Sequence, residues 1–152
     1  MVLNTGIEVI IASFVGAFIA QLLKFAFYWF SHEKFNFKIL TVTGGMPSSH
    51  SSFATALSTS VGMIKGFSSV EFAIALGFAM VIMYDAAGLR RSAGKMAAVL
   101  NKLVDDIYSD KPAKVTHERL MELLGHTPLE VFMGALLGIV LALAVHLILT
   151  IV

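Results

Sequence analysis

Long apolar runs separated by polar segments set the plan of this chain. The first run extends from Ile7 to Phe30 and ends in the aromatic cluster Phe27, Tyr28, Trp29 and Phe30. Such a cluster marks a membrane interface, where amphipathic rings sit at headgroup level. Gln21 and Lys24 interrupt the run. A lysine a turn and a half from the end of an apolar helix either snorkels to the headgroups or faces a polar site, and the pattern leaves both open. A polar loop from His32 to Pro47 follows, and the second segment covers about 48–65. It is short and rich in Ser, Thr and Ala, with Ala54, Ser58 and Gly62 spaced by four. That spacing predicts a helix whose small face packs on other helices instead of lipid. A re-entrant hairpin is the alternative for so short a segment.

The third apolar segment covers about 69–87, after a tight turn at Lys65 to Ser69. Beyond it, Ala97, Leu100, Val104 and Ile107 recur at helical spacing among charged residues. This pattern predicts an amphipathic helix that leaves the membrane or lies along its surface. It begins a helical loop of about 88–127, which has a polar break at Ser109 to Val115 and a short helix at Thr116 to Leu124 capped by Gly125. The last span, about 128–151, is nearly all aliphatic. The first span is expected at about 7–30. The expected architecture is an all-α integral membrane bundle of about four spans in a single domain, with an amphipathic cytoplasmic helix after span three.

Composition strengthens the membrane reading. The chain has 152 residues, is 57% hydrophobic and only 14% charged, and has a mean hydropathy of +0.83. A water-soluble domain of this size cannot hide that much apolar surface. Charge then adds an orientation. Lys34 and Lys38 lie in the first loop; Arg90, Arg91, Lys95, Lys102, Lys111, Lys114 and Arg119 lie between the third and last spans. Lys65 stands alone between the second and third. The positive-inside rule places the first and third loops in the cytoplasm and both termini outside. The first run lacks a basic n-region and a small-residue cleavage site, so it reads as a retained span. A net charge of +1 gives no reason to expect a nucleic-acid partner. The absence of cysteine excludes disulfide and thiolate chemistry.

With four spans, residues far apart in sequence come to one membrane face. His50 begins span two, Asp85, Arg90, Arg91 and Lys95 follow span three, and His126 precedes span four. In GGMPSSHSS, Ser48 or Ser49 is the expected N-cap, and free N–H groups at such a helix start bind phosphate. The plainer alternative is a serine-capped helix with an incidental histidine. In LLGHTPLEVFMGALLG, Thr127, Pro128 and Glu130 form a capping box, and Gly134 and Gly138 form GxxxG, a helix-contact motif. The capping box does not explain His126, whose imidazole Glu130 is placed to orient. Arg91 and Lys95 are i,i+4 neighbours able to reach one anion; juxtamembrane cations also serve simply to mark topology and touch anionic lipid. The five histidines have no ligand-like spacing, so no metal is expected.

PSSH, DAAGLRRSAGK and LGHTPLEV together resemble the type 2 phosphatidic acid phosphatase superfamily, and within it the small divergent branch related to acid phosphatase and vanadium-dependent haloperoxidase. The resemblance covers most of the chain. It departs from the superfamily in four sequence features, and the superfamily's usual six-helix core is shortened to about four spans. PSSH replaces PSGH, and Glu130 stands for the usual aspartate. The first motif, a lysine followed seven residues later by Arg-Pro, is absent. The arginine six before the third-motif histidine is Leu120, with Arg119 one place off. The resemblance implies a membrane lipid phosphatase without cofactor, acting on a lipid phosphate or a polyprenyl phosphate or diphosphate. His126 is then the nucleophile that forms a phosphohistidine, Glu130 its orienting carboxylate and His50 the general acid. Phosphate would be held at Ser48 and Ser49 with Arg91, Lys95, Arg90 and Lys24, the cations assigned by elimination. The competing expectation is a non-catalytic protein that binds or translocates a lipid phosphate. Membrane lipids are the other expected partners, and GxxxG faces are compatible with a homodimer.

Overall fold

A computed structural model describes residues 2–32, 45–108, 120 and 125–151. These residues form five helices and no strand: α1 (Gly6–His32), α2 (Ser49–Lys65), α3 (Val70–Ala87), α4 (Leu89–Tyr108) and α5 (Pro128–Ile151). Three helical stretches are long and apolar enough to cross a bilayer: Gly6–Phe30, Val70–Ile107 and Pro128–Ile151. The middle stretch runs from α3 into α4 through a break at Gly88. Phe14 and Phe18 on α1, Ile74 and Val81 on α3, and Val140 and Leu147 on α5 are all exposed. An apolar surface of this extent belongs in lipid, and the chain is an integral membrane helical bundle. The amphipathic helix expected after the third apolar segment is α4. The short helix expected at 116–124, together with Lys34, Lys38, Lys111, Lys114 and Arg119, lies outside the described residues.

The short second helix holds the bundle together. α2 packs against α1, α3 and α5. Its 17 residues span roughly 25 Å, less than the ~30 Å of a hydrocarbon core. It carries Ser48 as N-cap, whose side chain accepts from the Ser51 N–H at 3.3 Å. Its buried face is made of serine, threonine, alanine and glycine, and two of the hydroxyls there, those of Ser52 and Thr55, are bonded across helices. Ser52 Oγ donates to the Gly16 carbonyl of α1 at 2.9 Å, and Thr55 Oγ1 donates to the Ala135 carbonyl of α5 at 3.0 Å. A hydroxyl that finds such a partner can sit in the bundle without the cost of an unpaired polar group.

Glycine makes that approach possible. A Cβ on Gly16 would lie 3.1 Å from the Ser52 carbonyl oxygen. A Cβ on Gly134 would meet the backbone of Ser48, and one on Gly138 the Ser52 carbonyl and the Thr55 hydroxyl. The GxxxG pair of α5 is therefore buried against α2 within the chain. At the end of the bundle where α1 begins and α5 finishes, Glu8 is fully buried. Its carboxylate accepts the Asn4 N–H at 2.6 Å and meets His146 Nδ1 at 2.6 Å. α1 and α5 are thus antiparallel neighbours, locked at that end, and the start of α5 lies beside the second half of α1.

Candidate functional site

The other end of the bundle collects the start of α2, the end of α3, the start of α5 and Lys24 of α1. Local chemistry places each. Thr127 caps α5: its Oγ1 accepts the Glu130 N–H at 3.3 Å, and Glu130 Oε2 accepts the Thr127 N–H at 3.0 Å. The same carboxylate oxygen meets His126 Nδ1 at 3.1 Å. One glutamate therefore closes the helix cap and fixes the imidazole. The backbone of His126 is pinned as well, since its N–H donates to the Ala86 carbonyl of α3 at 2.9 Å. Just before it, Gly125 has φ +87 and lies on the backbone of Arg90 and Arg91, where a Cβ has no room. Ser48 is tied to the same place, its N–H donating to the Glu130 carbonyl at 3.1 Å.

His126 is 2% exposed. With Nδ1–H held by Glu130, the tautomer leaves a lone pair on Nε2. The Gly45 carbonyl lies near enough to act on the ring, yet no described atom makes a hydrogen bond to Nε2. Burial lowers the proton affinity of this histidine below the ordinary value; its bond to Glu130 opposes the shift, and the charge of Lys24 adds to it. The imidazole is accordingly neutral at neutral pH. The ring of His50 lies 6.4 Å from that of His126, centroid to centroid, at 62°. His50 is exposed in the first turn of α2, where the N–H groups of Ser49 and His50 have no acceptor among the described residues.

The remaining sequence-derived residues fall into two groups. Lys24 is turned inward and is 5% exposed. Its side chain packs beside Gly45, and its charge acts on Glu130, His50 and His126. Arg90 lines a cavity of about 310 Å³ with His50, Val81, Ile82, Asp85 and Ala86. Arg91 and Lys95 do not line it: Arg91 is half-buried with its backbone against Gly125, and Lys95 is exposed. Ser49 lines a neighbouring cavity and Ser48 is fully buried. Sequence reading put Asp85 at the same membrane face and as one possible partner of Arg90, the other being lipid headgroups, but gave it no role in the site. Its Oδ2 accepts Arg90 Nε at 2.8 Å. The two are five apart, a spacing that a continuous helix does not bring into register, and the break at Gly88 makes the contact. The Gly in DAAGLRR was the available signal.

Residues 6–141 match the family model described as the divergent PAP2 family. The chain belongs to the divergent PAP2 family. The match takes in His50, His126, Glu130, Lys24 and the Asp85–Arg90 pair, so the whole cluster lies within the part the family shares. The chain is also similar to the uncharacterised membrane protein YuiD of Bacillus subtilis (strain 168), with 41% identity over 143 residues, covering 88% of this chain and 90% of that protein. No solved structure matches. Membership in the divergent PAP2 family suggests a phosphatase ancestry, and the relative's description adds membrane location without an activity.

Proposed function

We propose that this protein is a metal-independent lipid phosphatase that works through a phosphohistidine. The observation that carries the reading is the buried Nε2 of His126, without a hydrogen-bond partner among the described residues, on a ring oriented by Glu130 and 6.4 Å from a second imidazole, centroid to centroid. In the first step Nε2 attacks phosphorus, the N–P bond forms, the P–O bond to the lipid alcohol breaks, and His50 gives its proton to the departing oxygen. In the second, His50 takes a proton from water, the oxygen of that water bonds phosphorus, and the P–N bond breaks. The developing charge is met by the N–H groups of Ser49 and His50 at the helix start, by Arg90 and by Lys24. A purified sample that releases inorganic phosphate from phosphatidic acid or a polyprenyl phosphate, and passes through an acid-labile phosphoprotein, supports the proposal. Binding of these lipids with no phosphate release leaves the second reading, a non-catalytic lipid-phosphate binding or translocating protein. That reading is favoured by Leu120, half exposed where the superfamily has arginine.

Arg90 is the cation to test first. It uses Nε for Asp85, so the Nη edge of its fork remains for an anion. The pair is exposed, with side chains 47% and 36% accessible, and such a pair adds at most about 1 kcal/mol to stability. Its value is then in holding the guanidinium. Arg90→Ala is expected to weaken orthovanadate binding roughly 10- to 100-fold with little change in Tm, the loss of one charged hydrogen-bonding group. Asp85→Ala should weaken it less, and Asp85→Asn should restore part of the loss. Equal or larger losses in Arg91→Ala and Lys95→Ala, with Arg90→Ala silent, would move the anion site along α4.

The site faces the cytoplasm in this proposal, on the lysine and arginine asymmetry. Single cysteines at Asn36 and Ser68 test it with an impermeant thiol reagent on intact cells. Labelling is expected at position 68 and not at 36; the reverse pattern inverts the orientation.

A further inference from the structure

Two cavities meet at the exposed imidazole. The first, with Asp85, Arg90 and His50, is polar at its far end. The second, of about 200 Å³, is lined by Ala17 of α1, Ser49, His50 and Phe53 of α2, and Ile82 of α3. His50 and Ile82 line both, so the two adjoin, the one with charged residues beside the more apolar one. They lie over α2 in the gap between α1 and α3. The flanks are the exposed, lipid-facing Phe14 of α1 and Val81 of α3. Phe14 also meets Phe53 edge-on at 5.5 Å, which closes the second cavity along α2. His126, 2% exposed, lines neither cavity, and its ring lies 6.4 Å from that of His50, centroid to centroid.

From this arrangement we infer that the gap between α1 and α3 is a binding groove for a single hydrocarbon chain of a phosphorylated amphiphile, with the phosphate at Arg90 and His50 and the chain along Ala17, Phe53 and Ile82. The inference rests on the anion-site reading above and adds the ligand's shape and its direction of entry. Charge sorts the ends: a guanidinium and an imidazole at one, an alanine and a phenylalanine at the other. Volume sets the number of chains, because about 200 Å³ is below the ~300–1,000 Å³ of ordinary ligand pockets and holds a stretch of one chain. A chain that enters from lipid leaves an equally apolar medium, so the groove adds little affinity. It acts by alignment, and misplacing a reacting group by an ångström costs on the order of 10²-fold in rate.

The test uses full-length protein in lipid nanodiscs and hexadecyl phosphate carrying a photoreactive diazirine at mid-chain. Cross-links are expected on the segments around Ala17, Phe53 and Ile82, and excess hexadecyl phosphate should suppress them while hexadecanol does not. Labels spread over the outer faces of α3 and α5, or suppressed equally by the alcohol, overturn the groove. Neither readout needs turnover, so cross-linking in the groove without phosphate release would uphold this inference and remove the phosphatase proposal. Phosphate release is then compared on hexadecyl and butyl phosphate. Ala17→Trp should reduce kcat/KM for the long ester at least about tenfold and leave the short one within about twofold. Ala17→Leu, a smaller block in the same place, should give an intermediate loss and covers the case in which the tryptophan variant fails to fold. Equal behaviour of both esters in a folded Ala17→Leu protein, with cross-links outside the groove, overturns the inference and leaves the phosphatase proposal standing.

Discussion

Replacing His126 by alanine is expected to reduce phosphate release from a lipid phosphate by on the order of 10³-fold or more, and to abolish any trapped phosphoprotein, while the protein still folds. The loss is large because no other described group can take over as nucleophile, and groups that act as a unit fail together. Folding is spared because the cap of α5 runs through Thr127 and Glu130, and the tie to α3 uses the His126 backbone. Near wild-type turnover in a folded His126→Ala protein would end the nucleophile assignment. The same residue sets a pH limb. Its proton affinity is lowered chiefly by burial, and a nucleophile must be unprotonated. Activity should persist as pH falls past ~6.5, the ordinary imidazole value, and be lost only at a lower pH, where His126 takes up its proton. An acid limb well above neutrality would contradict the buried environment.

A leucine at Gly138 or Gly134 should strongly destabilise the bundle. A side chain at either position meets fixed backbone of α2, the Ser52 carbonyl in one case and Ser48 in the other. Relief requires α5 to move away, which breaks the Thr55 bond to the Ala135 carbonyl and, at Gly134, the Ser48 bond to the Glu130 carbonyl. Overpacking alone costs about 1–3 kcal/mol, and each lost interhelical bond adds around 0.6 kcal/mol, against a total stability of about 5–15 kcal/mol. Gly77 on α3 is the control: nothing lies within 4 Å of the position a Cβ would take. Gly77→Leu should give a monodisperse protein in detergent with a Tm close to that of the parent chain, where Gly138→Leu gives aggregated or early-melting material. If both leucine variants behave alike, the close α2–α5 contact is not what holds the bundle.

Several elements were legible in the sequence because they depend on local chemistry. Apolar runs gave α1, α3 and α5, since a helix in lipid must be apolar outside and satisfy its own backbone. The amphipathic period gave α4. The capping box at Thr127 and Glu130 and the N-cap near Ser48 are contacts within four residues, so spacing alone exposes them. The motifs also pointed to one membrane face, because counting crossings needs no contact between helices.

What lay beyond the sequence depends on which faces meet. Lys24 had two readings, and only packing beside Gly45 and the start of α5 turns it inward. The GxxxG pair gives close approach but not a partner, and the partner is α2, whose hydroxyls need acceptors that α1 and α5 supply. Arg90 and Arg91 are neighbours in sequence and equal in charge. The break at Gly88 rotates Arg90 onto Asp85 and the His50 cavity and leaves the Arg91 backbone under Gly125. Periodicity cannot carry a helix phase across such a break, so the cation beside His50 is decided by tertiary structure alone.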